Sequence, residues 1–180
     1  MAEDKNLVIN KRSFDISFYE MDLEFDNSSV LNFVHKKQMV YDMNYTSFFD
    51  NKNILEEDKL EHFKNHIYSH VLYFVKNVLN KEKIIFNSSW FQLYKKGSYH
   101  PCHIHGIKDN EWSLIYYIQI SEQSSKTTIF IPGHPYAPLI KKNVVRKKDK
   151  LVVFPSFFPH EVAPNEDESR IILSANFEVF

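Results

Sequence analysis

The second half of the chain consists of short apolar runs separated by turn residues, and this pattern limits the fold more than any other feature. From residue 84 onward, runs such as "KIIFNSSWFQLY", "WSLIYYIQIS", "DKLVVFPS" and "SRIILSANFEVF" are rich in β-branched and aromatic residues, with Gly, Pro, Asn and Asp between them. Short strands at regular spacing are typical of an antiparallel barrel or jelly roll. We therefore predict a mainly β fold for residues 84–180.

The first half shows other periodicities. "FDISFYEMDLEF" alternates as a strand does, and "SSVLNFVHKKQMVYD" predicts a helix that begins at a Ser or Asn cap. "EEDKLEHFKNHIYSHVLYFVKNVLN" carries apolar residues at helical spacing from Leu60 to Val78, so it predicts a long amphipathic helix with an acidic first turn. We expect these helices to cover one outer face of the β structure. Since no linker divides the chain, we expect one domain, in which residues 1–83 support a core formed by residues 84–180.

Composition excludes several classes of protein. Lys plus Arg number 22 and Asp plus Glu number 23, for a net charge of -1, so no global positive field attracts nucleic acid and none is expected as a partner. The local basic run "KKNVVRKK" is interpreted as a solvated face. A single cysteine cannot form an internal disulfide, and no apolar run approaches the ~18 residues of a membrane span. We expect a soluble, cytoplasmic protein without a membrane partner, in the host cytoplasm if it is viral.

Histidines cluster in the stretch "SYHPCHIHG". His103 and His105 are two residues apart, so on an extended segment both side chains point the same way, which suits two ligands of one metal. His160, between two prolines in "FPSFFPHEVAPN", is the candidate third ligand. A metal with few protein ligands keeps positions open for substrate, although zinc sites and structural histidines also produce this spacing. His100 is predicted to face the other way on an extended strand, as a residue that supports the ligands or lies on the surface, and Cys102 is predicted to be a small core residue.

The last strand carries a candidate anion-binding residue. In "SRIILSANFEVF" Arg170 shares a face with Ile172, Ser174 and Asn176. If this strand is central, Arg170 is buried, and a buried guanidinium needs an anion such as the carboxylate of a small ligand. The alternative is that Arg170 is exposed and pairs with a carboxylate of residues 166–168. Tyr117 in "SLIYYIQ" is predicted to give the same ligand carboxylate a second hydrogen bond, with a core tyrosine bonded to backbone as the alternative.

Four motifs in order, "SSWFQLYKKGSYHPCHIH", "SLIYYIQIS", "LVVFPSFFPHEVAPN" and "SRIILSANF", resemble the 2-oxoglutarate and Fe(II)-dependent oxygenases. The likeness is greatest to a small phage and bacterial group and more distant to prolyl hydroxylases. It implies a double-stranded β-helix of the jelly-roll, cupin-like type, with iron at the barrel mouth. By position, His103 and His160 match the two histidines of the family's iron triad. Arg170 matches the arginine that binds the distal carboxylate of 2-oxoglutarate, and Tyr117 a tyrosine that assists it.

The sequence departs from the family pattern at the second ligand. Most members have Asp or Glu two residues after the first histidine, whereas this chain has His105. Either His105 ligates and completes a three-histidine site, or it turns away and leaves an open position; Asp109 or Glu111 could also supply a carboxylate. Ile172 stands where the family often has Ser, so Ser174 and Asn176 are predicted to line the cosubstrate pocket instead.

The resemblance implies an enzyme whose catalytic and metal-binding residues are His103, His105 and His160. It would use Fe(II), 2-oxoglutarate and O2 to hydroxylate an unidentified small-molecule or peptide substrate, with succinate and CO2 as coproducts, and a homodimer is possible. One alternative is a non-catalytic or zinc-binding jelly-roll module that binds a small carboxylic acid. Another is a structural virion or interaction protein.

Overall fold

The structure is a computed structural model that describes residues 17–38, 45–131, 140–144 and 146–180. Within these residues the chain forms nine strands, two α-helices and two short 3-10 helices. In chain order they are β1 (Tyr19–Asp22), α1 (Ser28–Gln38), the 3-10 helices (Ile54–Glu56 and Asp58–Leu60), α2 (Glu61–Asn77), β2 (Ile84–Tyr94), β3 (His100–His103), β4 (Glu111–Gln119), β5 (Thr127–Ile131), β6 (Ile140–Asn143), β7 (Lys150–Pro155), β8 (His160–Val162) and β9 (Arg170–Val179).

The strands form two antiparallel sheets. One has the order β1-β7-β4-β9-β2 and the other β3-β8-β5-β6, so strands that follow each other in sequence are seldom neighbours. One apolar cluster combines residues of both sheets and fills the space between them, for example Ile115, Val152 and Ile172 from the first sheet with Ile129 and Val162 from the second. Two sheets closed over a shared core form a double-stranded β-helix, and the predicted fold is confirmed.

The outer face of the five-stranded sheet is covered by α2. The helix places Phe63 against Tyr116 and Phe74 against Trp112, with ring centroids 5.7 and 5.9 Å apart. These residues belong to a second apolar cluster, on the side of the sheet away from the barrel interior. Helices on one face were predicted and are found. The prediction that the apolar face of this helix extends to Val78 is wrong. Val78 is exposed because α2 ends at Asn77.

Local structure in the first half differs from the prediction in three places. The strand is confined to Tyr19–Asp22, and its predicted first residues lie outside the described part of the chain. The backbone N–H of Ser28 donates to Asp26 Oδ1 at 3.0 Å, so a carboxylate stabilises the start of α1, not the expected Ser or Asn side chain. The long helix predicted from residue 56 begins only at Glu61, because the extended backbone at Glu57 separates the two 3-10 turns.

Packing of α2 against the sheet gives a stability prediction. Ile67 is fully buried at the centre of the helix, so Ile67→Ala should lower the free energy of unfolding by about 2–5 kcal/mol through lost burial and a cavity. Urea denaturation followed by circular dichroism measures this, with Lys76→Ala on the exposed face as the matched control. Equal stabilities of the two variants would contradict the described burial.

Among the described residues, no helix has both the length and the apolar character that crossing a bilayer requires.

Candidate metal and acid-binding site

Strand pairing brings the three predicted histidines together. His103 at the end of β3 lies opposite His160 at the start of β8, and their ring centroids are 4.3 Å apart. His105 follows in a bend, where its backbone N–H donates to the carbonyl of Ser156 at 3.0 Å and turns the chain towards the other two rings. One ring nitrogen from each histidine lies within 4.8 Å of the others. The three side chains are therefore positioned for iron binding.

The main chain fixes which nitrogen two of these rings present. His103 Nδ1 is 2.7 Å from the carbonyl of Pro101, and His160 Nδ1 is 3.0 Å from the carbonyl of Phe158. Because a carbonyl only accepts hydrogen bonds, each Nδ1 must carry the proton, which leaves the lone pair on Nε2. This arrangement is typical of metal-ligating histidines, whose other ring nitrogen is held by a backbone or carboxylate oxygen.

Burial keeps two of the three rings, those of His105 and His160, uncharged. The pKa of His105 is lowered to about 3, mainly by burial and next by the neighbouring rings of His160 and His103. Burial likewise lowers the pKa of His160 to about 4, against the opposing effect of its bond to Phe158. Both side chains are thus neutral at pH 7, the form that binds a metal.

These pKa values predict how the stability of the metal-free protein depends on pH. Between the unfolded value of about 6.5 and the native value of about 4 for His160, the unfolded chain binds a proton that the native state does not. Stability therefore falls as the pH drops, by about 2 kcal/mol at pH 5 from His160 alone. Thermal unfolding at pH 7.5 and 5.0 measures the loss, which should be smaller in His160→Gln. Equal losses in both proteins would contradict a buried neutral His160.

Glu111, an alternative carboxylate ligand, is hydrogen-bonded within its own loop. Glu111 Oε2 accepts the backbone N–H groups of Ile107 and Lys108, both at 3.1 Å, and its other oxygen is 3.1 Å from Lys108 Nζ. These hydrogen bonds lower the pKa of Glu111, and the bond from the backbone N–H of Lys108 has the largest effect. A Cβ at Gly106 would meet this carboxylate, so glycine allows the loop to close on it. Glu111 therefore holds the loop after His105 and is not part of the histidine cluster.

Arg170 is buried in the barrel interior, as predicted, with no exposed surface. Its Nη2 donates to Thr127 Oγ1 at 2.8 Å, and its guanidinium lies over the rings of Tyr94 and Tyr117, at 4.6 and 5.3 Å. Nε and Nη1 have no hydrogen-bond partner among the described residues, and no described carboxylate forms an ion pair with the side chain. The alternative of an exposed Arg170 paired with residues 166–168 is wrong.

The phenol of Tyr117 donates to Thr127 Oγ1 at 2.9 Å, so one threonine oxygen holds both Tyr117 and Arg170. Neither Thr127 nor Tyr94 was predicted. Burial raises the pKa of Tyr94, against the charge of Arg170, so the ring beneath the guanidinium stays a neutral phenol. Tyr94 lies on the same face of β2 as Gln92 and Trp90, and this alternation is the signal that could have identified it.

Two spaces adjoin the histidines. The inner one, about 20 Å³, is lined by the three rings together with Tyr94, Ile172 and Ser174, among others. The outer one, an open groove of about 570 Å³, is lined by His100, His103 and His105 but not by His160, and it contains Asn176. Ser174 thus borders the inner space. Asn176 does not border the inner space, because its amide bonds Ser113 and Ser88 at the other end of β9.

Two neighbours of the cluster correct the strand-based prediction. His100 does not face away: its ring stacks on His103 at 4.2 Å and its Nδ1 is 3.5 Å from the Tyr94 hydroxyl. The cause is an irregularity in the pairing of β3 with β8 between His100 and His103, which breaks simple alternation. Cys102 is exposed, so its interpretation as a core residue is wrong.

A family model described as "Putative 2OG-Fe(II) oxygenase" matches residues 88–176, from β2 to β9, the stretch that contains every predicted site residue. Over this stretch the chain is similar to the 2OG-Fe(II) oxygenases. This confirms the resemblance seen in the four sequence motifs. No curated protein sequence matches the chain.

Solved structures of several oxygenases share the fold. A prolyl-4-hydroxylase from Pseudomonas putida is 17% identical, with 91% of this chain and 92% of that chain covered and a TM-score of 0.62. The viral collagen prolyl hydroxylase of Paramecium bursaria chlorella virus 1, in complex with 2-oxoglutarate, is 14% identical, with 91% and 96% covered and a TM-score of 0.64. The α-ketoglutarate-dependent epimerase SnoN of nogalamycin biosynthesis is 9% identical, with 91% and 78% covered and a TM-score of 0.65. At these identities the likeness establishes the fold.

The residues present fit both groups that an oxygenase of this family uses. The three imidazoles are suitable donors for Fe(II): His103 and His160 each direct Nε2 away from the main chain, and His160 Nε2 lies 3.2 Å from His105 Nε2. The unpartnered N–H groups of the buried Arg170 are suited to a carboxylate of 2-oxoglutarate.

Proposed function

We propose that this oxygenase is a hydroxylase that couples the decarboxylation of 2-oxoglutarate to oxidation of a C–H bond in a small-molecule or peptide substrate. The observation that carries the cosubstrate assignment is Arg170, a buried cation with two unpartnered nitrogens, Nε and Nη1, inside the barrel that also holds the three histidines. A buried charge without a partner is costly, so it supports a ligand that supplies the anion. Two of the three similar structures described above are hydroxylases, which supports this outcome over epimerisation.

In this proposal His103, His105 and His160 bind the iron through ring nitrogens and leave its remaining positions to ligands. When bound, Fe(II) and 2-oxoglutarate together supply O2 activation, release of succinate and CO2, and oxidation of the substrate. Backbone carbonyls fix the ring orientations of His103 and His160, so the metal position is set before any ligand binds.

Arg170 binds the distal carboxylate in this proposal. Nε and Nη1 donate to it, while Thr127 holds Nη2 and so orients the planar guanidinium. Tyr117 acts through Thr127, to which it donates, and Tyr94 closes one face of the guanidinium against water. Ser174, on the inner space, is placed to donate a hydrogen bond near the metal end of the acid.

Binding of the acid requires side chains to move. An inner space of about 20 Å³ holds about one water molecule, which is less than a five-carbon diacid occupies. His100 borders both the inner space and the outer groove, and its ring is held by stacking on His103. In this proposal, rotation of His100 towards the groove widens the inner space.

The second candidate function is a zinc-binding module that recognises a small acid without oxidation. His105 favours it, because three histidines with an open position also form zinc sites. Incubation of the metal-free protein with Fe(II), ascorbate and 2-oxoglutarate in air distinguishes the two. We expect succinate in excess of a metal-free control, and none when Zn(II) replaces Fe(II). Absence of succinate with Fe(II), at a concentration that saturates the site, would exclude the oxygenase.

A further inference from the structure

The outer groove is the larger of the two spaces next to the histidines. Its volume of about 570 Å³ lies within the range of roughly 300–1,000 Å³ typical of small-molecule sites. Because His103 and His105 line it, any molecule bound in the groove lies beside the proposed metal position. The chemistry of the groove walls therefore bears on the prime substrate.

One wall is a series of aromatic rings that leads from the rim to the cluster. Phe49 packs edge-on against Phe48 at 5.6 Å, Phe48 packs edge-on against Trp90 at 5.2 Å, and Trp90 lies 5.6 Å from the ring of His105. Phe49 is 86% exposed, and Ile104 on the same groove is also exposed. Apolar side chains left open at the mouth of a pocket favour a ligand that buries them.

The polar residues of the groove are uncharged apart from one lysine. Gln92 and Asn176 contribute amides, Thr46 and Ser88 contribute hydroxyls, and Lys52 is the basic residue of the lining. No Asp or Glu is among the described residues that line the groove. This balance favours an anionic ligand over a cationic one.

The strand beside the groove is not open to an added peptide strand. The edge of β2 that does not pair with β9 is covered by residues 45–53: Leu93 N–H donates to the carbonyl of Tyr45 at 2.8 Å, Ser47 N–H to Phe91 at 3.0 Å and Ser89 N–H to Lys52 at 2.9 Å. Recognition of an extended peptide by strand addition needs such an edge to be free. The capped edge favours a compact ligand over a polypeptide at β2.

We infer that the outer groove binds the prime substrate, and that this substrate is a small organic acid with an aromatic or alicyclic ring. The ring packs on Phe49 and Phe48, and the anionic group lies towards Lys52. This inference rests on the proposed function, since it places the oxidised carbon beside the metal that the histidines hold. It names Phe49 and Lys52 as the residues that select the substrate class.

The test uses the Mn(II) protein saturated with 2-oxoglutarate, with the Zn(II) protein as a diamagnetic reference. The probes are 3-phenylpropionate, 3-phenylpropylamine, butanoate and an uncharged capped tetrapeptide that contains one phenylalanine. We expect 3-phenylpropionate to bind most tightly and its protons to relax faster with Mn(II) than with Zn(II). Phe49→Ala should weaken its binding about tenfold. Lys52→Gln should weaken it about two- to fivefold and should not weaken binding of the amine.

Tyr73→Ala, an exposed aromatic on α2 outside the groove, is the matched control and should change nothing. Tighter binding of the tetrapeptide or the amine, or equal binding of butanoate, would overturn the inference. The inference would also be overturned if the protein bound 2-oxoglutarate normally but no probe's protons relaxed faster with Mn(II) than with Zn(II). That result would leave the proposed function intact. Failure of the wild-type protein to bind 2-oxoglutarate would instead overturn the proposed function, and the inference with it.

Discussion

Arg170→Met will weaken 2-oxoglutarate binding by roughly 100-fold or more and at the same time stabilise the ligand-free protein. The loss follows because two charge-assisted hydrogen bonds from Nε and Nη1, each worth about 1.5–3 kcal/mol, disappear. The gain follows because the ligand-free barrel no longer contains an uncompensated cation between Tyr94 and Tyr117. Methionine is of similar length and keeps the aromatic contacts.

Calorimetric titration of the Mn(II) protein with 2-oxoglutarate and thermal unfolding of the metal-free protein measure the two effects. Arg146→Met is the matched control, because that arginine is exposed and donates to the carbonyl of Ser124 at 2.8 Å. A variant at Arg170 that is less stable but binds the acid normally would show that the guanidinium supports the fold and not a ligand.

His105→Ala will lower metal affinity by roughly 100-fold or more, because it removes one of three ligands. Loss of a residue that only hydrogen-bonds a ligand already costs about 10–100-fold in metal affinity. His105→Asp should keep the metal, since it restores the carboxylate that most relatives have at this position. The aspartate adds a negative charge, so it should bind 2-oxoglutarate, a dianion, less tightly than the wild-type protein does.

Competition with a fluorescent chelator measures metal affinity in each variant. His100→Ala is the informative control, because His100 stacks on His103 in the same segment but is not one of the three clustered ligands. It should reduce metal affinity by less than about tenfold. Unchanged metal affinity in His105→Ala would mean that His105 turns away and leaves an open position.

The sequence predicted those features that depend on simple strand alternation. Arg170, Ile172 and Ser174 share the interior face of β9 because side chains alternate along a regular strand. The sequence offered His160 as a third ligand, but alternation could not place it opposite His103, since the pairing of β3 with β8 joins residues 57 positions apart. The fold class followed from the spacing of the turns.

Other parts of the site could not be predicted from the alternation of side chains along a strand. The irregular pairing of β3 turns His100 towards the cluster, against expectation. Thr127 meets Arg170 only because the four-stranded sheet closes over the five-stranded one. Residues 45–53 carry no recognisable motif, yet their hydrogen bonds to β2 place Phe48 and Phe49 beside the histidines.

The most direct test of the central claim is a crystal structure of the protein grown with Mn(II) and 2-oxoglutarate. We predict one metal bound by His103, His105 and His160, and a diacid whose distal carboxylate lies about 2.7–3.2 Å from Nε and Nη1 of Arg170. A metal-free histidine cluster, or a diacid bound away from Arg170, would contradict it.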